Sequence, residues 1–243
     1  MCGKFAGDRN MERLRTLFSI DKVACDLTLN LDIAPGRELL AIIRQGGKNR
    51  LDKFHWGLIP FWARDVSIGN KLINARAETV AEKPSFREAF KYRRCLIPAD
   101  GFYEWQGSKN RKQPLFIAQP DRKPFAFAGL WETWHSKHGS HANYQSCTII
   151  TTRASQSFSA IHHRMPVILK PQVYHQWLDT TNQDLVELVA LLQNQIITEL
   201  VSSPVPQPKG SSQDLDPSRP AAIGRPQQMT FDWPKPNEPQ QKQ

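Results

Sequence analysis

Short segments rich in β-branched and aromatic residues recur along most of this chain, and they favour strands over helices. Helical spacing of apolar residues is confined to a few segments near the two ends and one in the middle. Many short strands with helices at their flanks predict an α+β fold, with one domain built around a curved, barrel-like, mainly antiparallel β-sheet. The predicted strands are Leu39–Ile43, Phe54–Leu58, Cys95–Ile97, Leu115–Ala118, Phe125–Leu130 and Tyr144–Thr152. The predicted helices are one capped by Asp8 with Met11, Leu14, Leu17 and Phe18 at helical spacing, a short one from Pro84 toward Phe90, Pro171–Leu178 and Asn182–Leu200.

The composition changes near residue 200. Residues 201–243 hold nine of the 18 prolines, and Ser, Gln and Gly fill much of the remainder. A segment of this kind buries too little apolar surface to offset the entropy lost on ordering. We therefore predict one folded domain over residues 2–203 and a disordered tail over 204–243. Phe231 and Trp233 form an aromatic cluster in the tail that could bind a protein partner.

Positive charge is concentrated in the folded part. The chain has 32 Lys and Arg against 23 Asp and Glu, and its last 43 residues contribute five basic and four acidic residues. This balance makes nucleic acid or another polyanion a candidate partner. No stretch approaches the roughly 18 apolar residues of a membrane span, and the N-terminus lacks the apolar run of a signal peptide. We expect a cytoplasmic protein, nucleoid-associated if it is bacterial.

The sequence predicts no metal and no organic cofactor. Its four cysteines lie far apart and form no CxxC pair, which argues against both a disulfide framework and a zinc site. His135, His138 and His141 recur every third residue, but no nearby cysteine or carboxylate completes a zinc ligand set. We expect this histidine segment to be an exposed loop.

Cysteine at position 2 has a chemistry that no internal cysteine shares. Removal of Met1 would leave an α-amine with a pKa of about 7.7–8.0 beside a thiol with a pKa of about 8.5. Such a 1,2-aminothiol reacts with aldehydes: the amine forms a Schiff base, and the thiol closes on the imine carbon as a thiazolidine. The amine could instead act as the base for the thiol, as in N-terminal-nucleophile hydrolases. Cys2 could also be an incidental residue at the start of a strand.

Three motifs follow Cys2 along the chain. They are NARAET at 74–79, RRCLIPADGFYEW at 93–105 and HHRMP at 162–166. With MCGKF at the N-terminus, they resemble the SOS response-associated peptidase (SRAP) family, the abasic-site cross-linking proteins, from residue 2 to about 200. The resemblance implies an α+β fold that binds single-stranded DNA. It also implies a thiazolidine between the mature N-terminal cysteine and the ring-opened aldehyde of an abasic site, which shields the lesion.

The resemblance assigns catalytic roles to four residues by motif position. Cys2 would be the cross-linking nucleophile, and Asn74 would hold the N-terminal residue and the sugar hydroxyl. Glu104 would be the general acid and base, and His162 would assist ring opening and the Schiff-base proton transfers. Opening the hemiacetal removes one proton and delivers another, which suits a Glu and a His. His163 faces the opposite way if its segment is extended, so we exclude it.

Four further residues are predicted DNA contacts. Arg76 and Arg164 each lie two positions beyond a predicted catalytic residue, and their planar forks suit phosphate. The Thr151 hydroxyl could hydrogen-bond a phosphate, and Trp62 could act as a wedge or stacking surface. A structural ion pair is the alternative for both arginines, and a core position is the alternative for Trp62. The predicted partner is single-stranded DNA with an abasic site, bound by a monomer.

The sequence departs from the family pattern at three places. Asp32 stands where Asn is usual, and Lys4 replaces the commoner Arg. The usual C-terminal stretch of the family is not clearly recognisable in residues 201–205, which leaves the last elements of the fold undefined. A carboxylate beside a DNA groove repels phosphate, which places any DNA contact of Asp32 in doubt.

Several activities remain open. Self-excision of Met1, reversal of the cross-link and abasic-site lyase activity are compatible with the same residues. Two other classes of function also remain. The protein could be a peptidase that cleaves other polypeptides, with Cys2 as nucleophile and His162 as base. It could also be a module that binds single-stranded DNA without covalent chemistry.

Overall fold

The structure, a computed structural model, describes residues 2–7, 10–26, 32–108, 111–136 and 143–205. In these residues the α-helices are α1 (Met11–Phe18), α2 (Arg87–Tyr92), α3 (Tyr174–Leu178) and α4 (Leu185–Asn194), and 3-10 helices span Val66–Lys71 and Pro171–Val173. The strands are β1 (Phe5–Ala6), β2 (Lys22–Val23), β3 (Asp32–Ile33), β4 (Glu38–Gln45), β5 (Lys48–Trp56), β6 (Asn74–Arg76), β7 (Arg94–Ala99), β8 (Gly101–Ser108), β9 (Arg111–Ala118), β10 (Phe125–His135), β11 (Asn143–Arg153), β12 (Arg164–Pro166), β13 (Ile168–Leu169) and β14 (Val201–Pro204).

Five strands close into a barrel. β5 pairs with β4, β4 with β7, β7 with β10 and β10 with β11, all antiparallel. β11 then returns to β5 in a parallel pairing at Ser146 and Cys147, which completes the ring. Closure of this kind removes the exposed edges of an open sheet. The predicted α+β fold with a barrel-like, mainly antiparallel sheet is confirmed.

The barrel strands separate two cores, because successive side chains of a strand point to opposite faces. Ile42, Leu96 and Ile150 pack with the helices, whose buried residues include Phe90 and Trp177. The neighbouring positions on the same strands, among them 41, 43, 95, 97 and 149, belong to a second cluster that also contains Cys2. Cys95 is completely buried in this second cluster.

A second sheet, ordered β14-β9-β8-β1-β3, carries the N-terminal strand. Phe5 of β1 lies between Ile33 of β3 and Phe102 of β8 in the hydrogen-bonded register. The Phe5 ring is fully buried. It meets the rings of Trp56 and Phe127 edge-on, at centroid distances of 5.3 and 5.4 Å. One aromatic side chain thus anchors the start of the chain against the barrel.

Arg94 joins the helices to the barrel from within. Its side chain is fully buried and lies 5.7 Å from the ring centroid of Trp177. Burial lowers the pKa of this guanidinium to about 10. In place of an ion pair, the guanidinium donates to the backbone carbonyls of Phe90, Lys91, Trp177, Asp179 and Asn182. A single cation therefore satisfies carbonyls at the ends of α2 and α3, which helices leave unpaired.

Two expectations at the element level were wrong. The helix predicted from Pro84 begins at Arg87, because residues 83–86 form turns, with the Phe86 amide donating to the Lys83 carbonyl. The helix predicted over 182–200 spans only Leu185–Asn194, because the following residues pair with β13 instead. Tertiary pairing outweighs helical propensity in these segments. Strand β14 lies at the predicted boundary between domain and tail, where it pairs with β9 over residues 201–204.

Strand β8, which follows the strand of Cys95, was not among the predicted strands. It pairs with β1 and β9 and contains the Gly-Phe-Tyr-Glu-Trp part of the second motif. Among the described residues, no helix is both long and apolar enough to cross a membrane. Residues 206–243 of the predicted tail, including Phe231 and Trp233, lie outside the described residues, as do Asp8, His138 and His141.

Candidate active site

The N-terminal segment brings Cys2 to β8. The Tyr103 amide donates to the Lys4 carbonyl at 2.9 Å, and the Asp100 amide donates to the Ala6 carbonyl at 2.9 Å. Continuing the antiparallel register places residue 3 opposite Glu104. The Cys2 side chain is completely buried, and its Sγ lies 4.0 Å from the Lys4 carbonyl oxygen. The pairing of β1 with β8 therefore determines where Cys2 lies.

Asn74 holds the backbone of Cys2. Its Nδ2 donates to the Cys2 carbonyl at 3.0 Å. Parallel pairing of β6 with β11 fixes Asn74 opposite Ile149. The other side-chain atom, Oδ1, is buried and has no hydrogen-bond partner within the residues that the structure describes. Because a buried acceptor without a partner is costly, this oxygen is available to a ligand hydroxyl.

Glu104 links the candidate catalytic groups electrostatically. Its side chain is buried on β8. Burial raises the pKa of the Cys2 thiol well above its ordinary value, and the negative charge of Glu104 raises it further. Burial lowers the pKa of His162, and Glu104 partly opposes that effect. The thiol is therefore protonated and the imidazole largely neutral near pH 7.

The His162 ring is oriented by the main chain of Arg164. Its Nδ1 lies 2.9 Å from the Arg164 amide nitrogen and 3.0 Å from the Arg164 carbonyl oxygen. When Nδ1 carries a proton it donates to the carbonyl in both the neutral and the protonated ring, which leaves Nε2 to gain and lose the second proton; in the other neutral tautomer Nδ1 accepts from the amide. The ring therefore keeps one orientation in both states, and Nε2 is the atom that exchanges a proton with a ligand.

His163 does not face away from His162. The two rings stack at a centroid distance of 4.3 Å and an interplanar angle of 28°. The expectation of opposite directions was wrong because residues 161–163 form a turn and a bend in place of a strand. His163 is exposed, and its charge contributes to lowering the pKa of His162.

Two predicted DNA contacts lie at the surface. Arg76 is exposed on β6, next to the Asn74 position. Trp62 is 41% exposed, and its neighbour Phe61 is 52% exposed. The indole Nε1 of Trp62 donates to the Pro84 carbonyl at 3.4 Å. A charged side chain and an aromatic pair are thus both accessible to a ligand.

The other two predicted contacts are buried. Thr151 is fully buried on β11, and its hydroxyl donates to the Ala75 carbonyl at 3.3 Å. Arg164 is 9% exposed. Its guanidinium forms a two-point ion pair with Glu78, at 2.7 and 3.0 Å. It also donates to the Thr151 carbonyl at 2.6 Å. The structural ion pair, raised as the alternative for this arginine, is present.

Comparison with known proteins identifies the family. Residues 1–210 match the family model described as SOS response associated peptidase, SRAP. The chain belongs to the SRAP family. It is similar to the abasic site processing protein YoqW of Bacillus subtilis, with 42% identity over 222 residues, 88% of this chain and 98% of that protein. It is also similar to the abasic site processing protein YedK of Escherichia coli, with 30% identity over 184 residues, 73% of this chain and 79% of YedK.

Solved structures support the same assignment. A crystal structure of a Bacteroides thetaiotaomicron protein is similar to this chain with a TM-score of 0.72 and 26% sequence identity. The matched region covers 84% of this chain and 92% of that one. The barrel and its second sheet are therefore a fold that this SRAP chain shares with a solved structure.

Two departures of this chain from the SRAP pattern contact each other. Lys4 Nζ lies 3.2 Å from Asp32 Oδ2 and 5.1 Å from the ring centroid of Tyr103. The Tyr103 hydroxyl donates to Asp32 Oδ1 at 3.3 Å. Burial, followed by the charge of Asp32, raises the pKa of Tyr103. Asp32 thus balances the charge of Lys4, two residues from the nucleophile. Both partners are more than a third exposed, so solvent weakens this ion pair.

Two residues of the site were not predicted from the sequence. Glu78 lies inside the NARAET motif and pairs with Arg164. His163 is the second member of a histidine doublet, and it stacks on His162. The signals were present, since both residues fall within the motifs that identify the family. The contacts depend on the pairing of strands far apart in sequence.

Proposed function

We propose that this SRAP protein processes abasic sites in DNA through a covalent link to its N-terminal cysteine. The observation that carries the proposal is the hydrogen bond from Asn74 to the Cys2 carbonyl, beside the buried Glu104. The names of the relatives YoqW and YedK support the choice of substrate. Single-stranded DNA is the proposed form of the substrate, bound by a monomer.

The proposed reaction starts once Met1 has been removed from Cys2. The abasic sugar opens to its aldehyde when a proton leaves the hemiacetal hydroxyl and another reaches the ring oxygen. The freed α-amine adds to the aldehyde carbon, and loss of water gives a Schiff base. The thiol then adds to the imine carbon, and its proton ends on the nitrogen of the thiazolidine. Water is the sole product lost, and no oxidant or reductant is needed.

Glu104 and His162 are the proposed proton carriers. A largely neutral imidazole, which follows from the burial of His162, can take a proton at Nε2. Because the pKa of Cys2 is raised, its sulfur is a protonated thiol before the reaction and loses its proton only during ring closure. The same groups would serve the reverse steps, which release the aldehyde. From the Schiff base they would also serve a lyase route, in which a base removes the C2′ proton and the 3′ phosphate leaves, so that the strand is cleaved. Asn74 Oδ1 would accept a hydrogen bond from the sugar.

The proposed DNA surface combines cationic and aromatic side chains. Arg76 would contact phosphate, and Trp62 with Phe61 would stack on or wedge between bases, since all three are exposed. Thr151 and Arg164 are proposed to shape this surface from below, because their side chains are buried. Recognition of the lesion itself requires no base contact, because the target lacks a base.

The test is a denaturing gel of the protein with a single-stranded oligonucleotide carrying one abasic site. The wild type should give a shifted band that survives denaturation, and Cys2→Ala should give none. Cys2→Ser keeps the amine and loses the sulfur, so its band should depend on trapping of the Schiff base with borohydride. Cys25→Ala is the matched control, since Cys25 is a half-buried cysteine whose neighbours are Asp26, Asp52 and Lys53.

Other outcomes point to the alternative functions. Equal absence of a band for wild type and Cys2→Ala refutes the covalent mechanism, as does retention of Met1 in the intact mass of the active protein. Turnover of a peptide library that is lost in Cys2→Ser would establish a peptidase for other proteins. Salt-sensitive binding that Cys2→Ala leaves intact, without any adduct, would establish a non-covalent binding module.

A further inference from the structure

Glu78 and Arg164 form a two-point contact at the edge of the candidate active site. Arg164 Nη1 lies 2.7 Å from Glu78 Oε1, and Nη2 lies 3.0 Å from Oε2. Nη2 also lies 2.6 Å from the Thr151 carbonyl oxygen and 3.2 Å from the Thr151 hydroxyl. Contact at both nitrogens of the fork fixes the plane and the direction of the guanidinium.

This contact spans a strand. β6 pairs with β11 at residues 149–151, and β12 pairs with β11 at residues 151–153. Glu78 follows β6 by two residues, whereas Arg164 opens β12. The ion pair therefore joins the segment that carries Asn74 to the segment that carries His162, with Thr151 of β11 between them.

The main chain of Arg164 transmits this constraint to the imidazole. His162 Nδ1 lies within hydrogen-bond distance of both the Arg164 amide and the Arg164 carbonyl. Holding the Arg164 side chain therefore restricts the backbone that orients the ring. The Arg164 side chain is 11% exposed, and a buried cation without its partner is strongly disfavoured. Loss of the carboxylate should move Arg164 toward solvent and take its backbone with it.

We propose that Glu78 is a positioning residue: it orients His162 through Arg164 and keeps His162 at a fixed position relative to Asn74. The proposal rests on the proposed function for its catalytic consequence, but the orientation of the ring is independent of any substrate. Three further groups act on the ring: Glu104 from β8, the N-terminal amine and the stacked His163. Among the described residues, no hydrogen bond joins Glu78 to Cys2, and its carboxylate contacts Arg164 instead.

The experiment compares Glu78→Gln and Glu78→Asp with the wild type. Glu82→Gln is the matched control, because it removes an exposed carboxylate from the following turn. Two quantities are measured: the rate of adduct formation with abasic single-stranded DNA as a function of pH, and the titration of His162 by NMR without DNA. Glu78 is 38% exposed, so the glutamine side chain stays solvated and the variant is expected to fold.

Glu78→Gln should slow adduct formation by about ten-fold or more, since small displacements of catalytic groups cost up to about 100-fold. The hydrogen bond to the Arg164 backbone raises the pKa of His162, so loosening it should lower the titration midpoint. The acidic limb of the rate profile should move with that midpoint. Glu78→Asp keeps the charge and should recover most of both quantities, whereas Glu82→Gln should match the wild type.

Two results would overturn the proposal. The first is a Glu78→Gln variant whose rate and His162 titration both equal those of Glu82→Gln. The second is a slowed variant whose His162 titration is unchanged, which would mean that Glu78 acts on DNA binding or stability instead. If the wild type forms no adduct at all, the proposed function fails, and the NMR titration still decides whether Glu78 positions the ring.

Discussion

Phe5 should control the reactivity of Cys2 from three residues away. Its ring is fully buried against Trp56 and Phe127, although β1 is only two residues long. Truncation of a buried Phe to Ala costs about 3–5 kcal/mol. Because about 1.4 kcal/mol is a factor of ten, docking of the N-terminal strand should weaken by between about 100-fold and about 4,000-fold. β1 is not one of the five barrel strands, so the barrel should remain folded in Phe5→Ala.

Two amides report on this docking directly. The Tyr103 and Asp100 amides donate to the carbonyls of Lys4 and Ala6, so their hydrogen exchange should accelerate in Phe5→Ala. The Trp131 amide, which donates to the Arg93 carbonyl in the barrel, should keep its protection. Adduct formation with abasic DNA should fall in proportion to the loss of docking.

Leu17→Ala is the control for this experiment. It removes an apolar side chain of α1 that is 38% exposed, and it should leave exchange and adduct formation unchanged. The reasoning would be refuted by a Phe5→Ala variant that exchanges its Tyr103 amide at the wild-type rate and cross-links normally. Global loss of protection, with Trp131 exchanging as fast as Tyr103, would refute the separation of β1 from the barrel.

Three further outcomes are expected. Asn74→Ala removes the donor to the Cys2 carbonyl and should slow adduct formation about ten-fold, since such bonds contribute about 0.5–1.5 kcal/mol. Asn74→Asp places a carboxylate oxygen against the Cys2 carbonyl oxygen, so its adduct should form more slowly still in the gel assay. Asp32→Asn should free Lys4 to contact phosphate. The slope of log binding constant against log salt concentration for single-stranded DNA should then steepen by about 0.7 per added phosphate contact. Fluorescence anisotropy measures this slope, and Asp121→Asn, which breaks the ion pair with Lys123, is the control. Burial favours a higher pKa for Glu78, but hydrogen bonds and charge from Arg164 hold that pKa below its ordinary value. Stability should therefore be lost as the pH falls through the pKa of Glu78 in the folded protein. Thermal melts should show this loss in the wild type and a weaker loss in Glu78→Gln.

The five barrel strands of this SRAP chain could each be predicted, at least in part, from local sequence. The predicted segments 95–97, 125–130 and 144–152 fall within β7, β10 and β11. β-branched and aromatic residues fit a pleated surface wherever it is packed, so they indicate a strand without any knowledge of its neighbours. The bounds of the segments were less predictable, because they depend on partners that are distant in sequence. Helix α4 ends at Asn194, and β14 begins at Val201, where it pairs with β9.

The motifs also predicted which residues form the candidate site. Cys2 and Asn74 are joined by a hydrogen bond, and Glu104 acts electrostatically on both Cys2 and His162. Motif spacing did not show which side chains would be buried. Thr151 lies under the surface because β6 and β12 both pair with its strand.

By itself, the sequence predicted the fold class, because propensity belongs to each residue, and its motifs predicted the candidate nucleophile and the residues around it. Tertiary structure alone decided the closure of the barrel, the two-point contact of Arg164 with Glu78, and the pairing of Lys4 with Asp32. These features depend on register between strands that are distant in sequence, and a one-residue slip would exchange the two faces of a strand. The physical reason is that burial and partner choice are properties of the packed chain.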